Sequence, residues 1–263
     1  MGFKDGNVDS GRFSLHYYVR NSPESTNTLI LIHGLGTSSS TWVRLLPGLD
    51  PRWNVLALDL PGFGFSEINS GLRFARMEEL YQSVVTFIEK KVASPFFLLG
   101  HSLGGWLATR FAAEHPEYIK HLILVDNAGI LFEGTVDQGK AFQVASIRDL
   151  GRLLNKIWYR YPWYFKPFYL AVFNDLRKRY VAEFVRSIQA EDFLNDRLQT
   201  LKMNTTIIWG KEDKLISMKS VELLQQLIPH ARVNFIERCG HVPQLEQPKE
   251  FINIIRKVLQ QET

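Results

Sequence analysis

A serine occupies a glycine-flanked turn near the middle of the chain. Gly100-His101-Ser102-Leu103-Gly104 follows the apolar run Phe96 to Leu99, and a segment with helical periodicity begins at Leu103. In a tight strand-to-helix turn, small flanking residues avoid clashes and the serine hydroxyl is left exposed. The motif therefore predicts that Ser102 is a nucleophile.

A serine hydroxyl needs a neighbouring base, and seven histidines compete for that role. His241 lies between the last predicted strand and the last predicted helix, where a parallel sheet presents its carboxyl edge. Other histidines lie in or beside regular elements and are expected to be packing or surface residues: His16, His115, His121 and His230. We therefore predict that His241 is the general base.

A carboxylate is expected to hold the histidine in the required tautomer. Asp213 follows the predicted strand Thr205 to Trp209 and falls on a loop at the same edge of the sheet. Glu212 and Asp126 remain as alternatives, the second at the end of the strand Leu122 to Val125. We favour Asp213 because it follows the penultimate strand, which produces the chain order serine, aspartate, histidine.

The tetrahedral intermediate of acyl transfer requires two hydrogen-bond donors for its oxyanion. His33-Gly34-Leu35-Gly36 follows the strand Thr28 to Ile32, and its glycines allow the backbone to approach a substrate. We assign the donors to the backbone N–H groups of Leu35 and Leu103. Six further residues are predicted to line the substrate pocket: His33, Gly34, His101, Val242, Trp158 and Trp163. His33 itself is expected to be a buried structural residue and not a second base.

The elements that position these residues alternate between strands and helices. Near-continuous apolarity, typical of a parallel sheet covered on both faces, predicts strands at Thr28 to Ile32, Asn54 to Leu58, Phe96 to Leu99, Leu122 to Val125, Thr205 to Trp209 and Arg232 to Ile236. Arg12 to Val19 alternates more and predicts an antiparallel edge strand. Helices are predicted at Met77 to Val92, Leu103 to His115, Ser217 to Leu227 and Lys249 to Gln260.

The alternation stops after Asn127 and resumes near residue 202. The intervening segment is helical in pattern and rich in aromatic residues. We therefore predict a catalytic core of residues 1–127 and 202–263, with a helical cap inserted at 128–201. A separately folding domain is the alternative, but about 70 residues without an evident core of their own make it less favourable.

Five stretches together closely resemble the α/β-hydrolase superfamily, in its serine-nucleophile branch: His33-Gly34, Asp59 to Ser66, Gly100 to Gly104, Asp213 and His241. The resemblance implies an α/β fold with a mostly parallel eight-stranded sheet, a lid after strand six, and acyl transfer to water through an acyl-enzyme. It requires no metal or organic cofactor.

Within that superfamily, the chain is similar to capped esterases and monoacylglycerol-lipase-like members, and also to carbon–carbon bond hydrolases of aromatic degradation. The latter often carry tryptophan after the histidine and methionine after the nucleophile, and Val242 and Leu103 depart from that pattern. We expect a small-molecule or lipid-like carboxylic ester with a hydrophobic acyl group as substrate. The alternatives are a carbon–carbon bond hydrolase acting on a vinylogous diketone and a ligand-sensing protein on the same fold.

Composition narrows the remaining classes. The formal charge of +4 comes from scattered lysines and arginines, which makes nucleic acid a poor partner. The single cysteine, Cys239, excludes an internal disulfide. The chain shows neither a secretory signal nor a run of about 20 apolar residues, so we expect a cytoplasmic protein.

A basic helix is predicted in the cap. Four basic residues recur every four positions, at Arg148, Arg152, Lys156 and Arg160, and a second face carries Leu150, Leu153, Leu154, Ile157 and Tyr161. Such a helix either packs its apolar face on the core with solvated charges, which we favour, or lies on an anionic membrane surface. Peripheral membrane contact through the cap is therefore the second expectation.

Overall fold

The protein is described by a computed structural model that covers residues 2–23, 25–69, 71–133, 135, 139–178 and 180–261, without the side chains of residues 164, 165, 168, 178 and 261. Among these residues, no helix combines the length and the apolar composition that spanning a bilayer requires.

Within the described residues, nine strands form one sheet: β1 (Lys4–Asp9), β2 (Phe13–Arg20), β3 (Thr28–Ile32), β4 (Asn54–Leu58), β5 (Glu67–Ile68), β6 (Phe96–His101), β7 (Ile119–Val125), β8 (Asn204–Gly210) and β9 (Arg232–Ile236). Eight of them follow the order β1-β2-β4-β3-β6-β7-β8-β9, and the two-residue β5 pairs with β2. From β4 to β9 all neighbouring strands along this path are parallel. The predicted eight-stranded, mostly parallel sheet is confirmed, with β5 as a short addition.

The prediction of an edge strand near Arg12 to Val19 is wrong in one respect. β2 does pair antiparallel with its neighbours, but β1 and β4 lie on either side of it. β1 has the sequence KDGNVD, and only Val8 is buried in it. A strand with so little apolar surface lacks the pattern by which strands are predicted.

Helices cover both faces of the sheet. They are α1 (Met77–Lys91), α2 (Leu103–Glu114), α3 (Ile147–Ile157), α4 (Tyr169–Lys178), α5 (Val181–Ser187), α6 (Asn195–Leu198), α7 (Met218–Leu227), α8 (Pro243–Glu246) and α9 (Pro248–Gln261). The four predicted helices correspond to α1, α2, α7 and α9, and Ser217 caps α7 by accepting a hydrogen bond from Lys219 N at 3.2 Å.

Alternation along each central strand creates two apolar layers. In β3, Ile30 and Ile32 belong to the cluster that includes residues of α1, α2 and α7, whereas Leu29 and Leu31 belong to the cluster that includes α9. Every side chain of β3 is buried, because both faces are covered. Because the strands from β4 to β9 run parallel, their carboxyl ends lie at one edge of the sheet, and the loops that leave that edge carry the candidate site.

Residues 128–201 contain helices and no strand among the residues described. Leu150, Leu154 and Phe173 form a small apolar cluster of their own. Leu153, Phe184 and other residues of the segment instead join the large cluster on one face of the sheet. The segment is thus packed on the sheet domain through a shared apolar core.

The basic helix differs from its prediction at its end. α3 stops at Ile157, so Arg160 and Tyr161 lie beyond it. Leu150, Leu153 and Leu154 are buried, and Arg148, Arg152 and Lys156 are exposed, as the favoured packing interpretation expects.

Candidate active site

Ser102 lies in a strained turn between β6 and α2. Its φ of 53° and ψ of −115° fall outside the regions that a serine ordinarily adopts. The turn is held by hydrogen bonds from Ser102 N to Val125 O at 2.9 Å and from Ala128 N to Ser102 O at 3.2 Å. Strain of this kind persists where the surroundings enforce it, and here the strained serine lines a cavity.

His241 and Asp213 are in direct contact. His241 Nδ1 donates to Asp213 Oδ2 at 2.7 Å, and both side chains are almost completely buried. Asp213 Oδ1 accepts two further hydrogen bonds, from Leu215 N at 2.7 Å and Ile216 N at 3.0 Å. This arrangement leaves Nε2 of His241 as the unprotonated nitrogen, as a general base requires.

His101, the residue before Ser102, links the serine turn to the histidine loop. His101 Nε2 donates to His241 O at 2.7 Å, and the two imidazole rings lie 5.0 Å apart. Burial, with the nearby His241, lowers the pKa of His101 to about 3, so its ring is neutral. In the described part of the chain no hydrogen bond joins the Ser102 hydroxyl to His241. Such contacts are often long before substrate binds.

Glu246 holds the histidine loop and residues 157–160 together. Its Oε1 accepts from Gly240 N and its Oε2 from Tyr159 N, both at 2.8 Å. His241 N in turn donates to Ile157 O at 2.6 Å. Glu246 could not be identified from the sequence, because its role depends on a backbone segment 87 residues away.

The predicted oxyanion donors lie beside the serine. Leu35 and Leu103 both line the cavity that reaches Ser102. Among the described residues neither backbone N–H donates a hydrogen bond. Two free N–H groups at the serine match what an oxyanion needs.

An apolar cavity of about 160 Å³ opens at Ser102. Its walls come from the sheet domain and from the 128–201 segment, and it is lined by Leu35, Ser102, Leu103, Trp106, Ala128, Gly129, Ile130, Thr135, Gly139, Phe142, Phe184, Val185, Ile188, Phe193, Ile216 and Ser220. None of these side chains is charged. The cavity suits an uncharged, hydrophobic group next to the serine.

The six predicted pocket residues do not line this cavity. His33 is buried, donates through Nδ1 to Gly34 O and accepts through Nε2 from Leu60 N. His101 and Val242 are also buried, and Gly34 lies beneath the serine turn, with no room for a Cβ beside His101. Trp158 packs edge-on against Tyr161, and Trp163 is 76% exposed. Aromatic density in the sequence did not indicate which way these rings point.

The alternative acids have different surroundings. Glu212 accepts from Cys239 N at 2.8 Å and does not contact the imidazole. Asp126 is completely buried, and Asp126, Asp213 and His241 place polar atoms within 4.8 Å of one another. Asp213 is the carboxylate that contacts His241.

A family model described as the alpha/beta hydrolase fold matches residues 27–204 and 187–248 of this chain. Lipase 1 of Psychrobacter immobilis is 29% identical over 248 residues, which cover 87% of this chain and 75% of that protein. The 2-hydroxy-6-oxo-2,4-heptadienoate hydrolase of Pseudomonas putida is 25% identical over 254 residues, 89% of each chain.

Among solved structures, a membrane phospholipase A described as a bacterial virulence factor superposes with a TM-score of 0.82 at 28% identity. The match covers 99% of this chain and 87% of that one.

Proposed function

Because this chain belongs to the alpha/beta hydrolase fold family, we propose that it is a serine hydrolase that cleaves carboxylic esters with a hydrophobic acyl group. The observation that carries the proposal is the hydrogen bond from His241 Nδ1 to Asp213 Oδ2, together with an apolar cavity that Ser102 lines. Lipase 1 of Psychrobacter immobilis and the membrane phospholipase A support ester cleavage as the reaction.

In the proposed mechanism, Nε2 of His241 removes the hydroxyl proton of Ser102 as the serine oxygen attacks the ester carbonyl. The negative charge that develops on the carbonyl oxygen is stabilised by the N–H groups of Leu35 and Leu103. The imidazolium then protonates the departing alcohol, which leaves an acyl group on Ser102. Water, deprotonated by the same nitrogen, releases the acid and restores the serine. Asp213 stabilises the imidazolium throughout.

A carbon–carbon bond hydrolase is the second candidate, because the Pseudomonas putida relative is named as a hydrolase of 2-hydroxy-6-oxo-2,4-heptadienoate. Dienoate substrates bear a carboxylate, and a carboxylate taken out of water needs a cation or several donors. Among the described residues, no charged side chain lines the cavity at Ser102. This composition favours the ester over the dienoate.

We further propose that residues 128–201 act as a cap that forms the outer wall of the acyl site. Ten of the cavity-lining residues belong to this segment, from Ala128 to Phe193. Contact of the cap with a membrane surface stays a prediction. It is supported by the exposed Trp163 and Leu170 together with the exposed Arg148 and Arg152.

The test is a fluorophosphonate probe combined with p-nitrophenyl esters of graded acyl length. We expect labelling of the native protein that is lost in Ser102→Ala. Each methylene buried in the cavity contributes about 0.8 kcal/mol, so kcat/KM should rise about fourfold per added methylene until the cavity is full. Absence of both labelling and turnover would contradict the proposal. Faster turnover of a 2-hydroxy-6-oxodienoate than of any ester would favour the second candidate.

A further inference from the structure

A second carboxylate lies behind Asp213. Asp126 directly follows β7, and its side chain is 0% exposed. Its backbone lies in the left-handed region, with φ of 41°, and Asp126 N donates to Ile208 O at 3.0 Å. This placement aims the carboxyl group at the Asp213 loop, where Asp126 Oδ1 accepts from Gly210 N at 3.0 Å.

A carboxyl oxygen of Asp126 and one of Asp213 lie within 4.8 Å of each other. Two buried carboxyl groups at this distance cannot both carry a charge at low cost. The hydrogen bonds indicate which of them is ionised. Asp213 accepts from three donors, namely His241 Nδ1 and the N–H groups of Leu215 and Ile216. Asp126 accepts from one, and its Oδ2 is buried and accepts none from the described residues. The negative charge therefore belongs on Asp213.

The surroundings of Asp126 agree with a neutral Asp126 beside a charged Asp213. Burial and, next, the charge of Asp213 raise the pKa of Asp126 well above its ordinary value, and the carboxylate of Glu246 acts in the same direction. The thiol of Cys239 also faces this acidic group, and burial raises its pKa, so it supplies no negative charge of its own at neutral pH.

We propose that Asp126 is held as a neutral carboxylic acid whose hydroxyl donates to the Asp213 carboxylate and thereby positions Asp213 against His241. Asp126 is a positioning residue, since it touches neither the substrate nor Ser102. The inference rests on the proposed serine-hydrolase function. It makes the two aspartates a pair that shares one proton and carries a single negative charge while the imidazole gains and loses its proton.

The neutral state leads to a specific expectation for substitution. Asparagine has the shape of a protonated aspartate, keeps an oxygen for Gly210 N and offers an N–H in place of the O–H. Alanine removes both. Asp126→Asn should therefore retain kcat/KM within about threefold, whereas Asp126→Ala should lose at least tenfold in kcat with little change in KM, which corresponds to at least about 1.4 kcal/mol of transition-state stabilisation.

The pH profile provides a readout that a merely structural role would leave unchanged. Without a donor from residue 126, the charge on Asp213 is less neutralised and favours the imidazolium form of His241. The acidic limb of kcat/KM should then move to higher pH in Asp126→Ala and stay in place in Asp126→Asn. The other titratable groups near the imidazole, neutral His101 and Glu246 at the loop, are the same in both variants.

The decisive measurement does not depend on turnover. Infrared difference spectra of the wild type minus Asp126→Asn at pH 7 should contain the carbonyl stretch of a buried protonated carboxyl group. Absence of that band overturns the proposal, as does an Asp126→Asn variant as impaired as Asp126→Ala, or an Asp126→Ala variant with unchanged kcat and pH profile. If the wild type neither reacts with the fluorophosphonate nor hydrolyses esters, the proposed function fails, and the infrared band still decides the protonation of Asp126.

Discussion

Replacing Gly104 with alanine tests how closely the serine turn is packed against the sheet. Gly104 lies in the first turn of α2, and a Cβ at this position would come within 2.3 Å of Ile32 O and 2.5 Å of His33 O. Ordinary van der Waals contacts of a Cβ begin at 3.4 Å, so α2 would have to move about 1.1 Å away from β3. Both obstructing atoms are backbone, and they cannot turn aside as a flexible side chain can.

That displacement should act on both stability and catalysis. Overpacking costs about 1–3 kcal/mol, and the better helix propensity of alanine returns about 1 kcal/mol, so the free energy of unfolding should fall by up to about 2 kcal/mol. A misplacement of about 1 Å at a catalytic group costs on the order of 100-fold in rate, because the near-attack geometry is lost. Since Ser102 begins the same turn, kcat/KM should fall by roughly that factor.

Gly151 provides the matched control. It also lies within a helix, α3, and a Cβ there would meet nothing within 4 Å. Gly151→Ala should therefore gain up to about 1 kcal/mol of stability and keep its activity. Urea unfolding and kcat/KM for a p-nitrophenyl ester would be measured on both variants. If Gly104→Ala hydrolyses the ester within threefold of Gly151→Ala, the reasoning about the close approach of α2 to β3 is refuted.

Three further variants test other parts of the structure. Asp59→Asn should lower the free energy of unfolding by about 3 kcal/mol at pH 7. Burial raises the pKa of Asp59, but hydrogen bonds from backbone N–H groups outweigh burial and leave the pKa below its ordinary value. The stabilisation by the Asp59 carboxylate is therefore present above about pH 4, and in acid-unfolding curves the difference between Asp59→Asn and the wild type should shrink as the pH falls below that value. Glu246→Ala should lose about 3 kcal/mol in the free energy of unfolding and most of kcat, because the charge-assisted hydrogen bonds from Gly240 N and Tyr159 N are removed. The control is Glu250→Ala on the exposed side of α9, which should match the wild type in both the free energy of unfolding and kcat. Val185→Phe narrows the cavity and should reduce kcat/KM for long acyl esters while acetate and propionate esters keep theirs; an equal loss at every length would contradict the assignment of the acyl site.

The parts of the fold that were predicted from sequence are those with a local signal. The runs Thr28 to Ile32 and Asn54 to Leu58 are apolar because both sheet faces are covered, and the structure assigns strands to the same residues. Loops that follow such strands meet at one edge, which is why Asp213 and His241 could be paired from chain order alone. β1 carries no such signal, since its pairing with β2 is made by backbone groups.

The walls of the acyl site could not be predicted for a related reason. Trp158 and Trp163 were chosen because they lie in a stretch of the sequence rich in aromatic residues. Among the described residues, the aromatic side chains that line the cavity are instead Trp106, Phe142, Phe184 and Phe193. Which aromatic residues turn inward depends on how the helices of the 128–201 segment pack on the sheet, and that packing is long-range. The contact of Asp126 with its neighbours was similarly hidden, because 84 residues separate it from Gly210.

The backbone from Ile157 to Tyr159 is wedged between the two loops that hold the aspartate and the histidine. His241 N donates to Ile157 O, Lys214 N donates to Lys156 O, and a Cβ on Gly240 would strike Ile157 O at 2.4 Å. Any hinge by which the 128–201 segment uncovers the cavity must therefore lie outside residues 156–159, since movement of this backbone would pull the imidazole of His241 away from Asp213. Chimeras that transplant a foreign lid to change substrate range should keep residues 156–160 as part of the recipient scaffold and place their splice points after them.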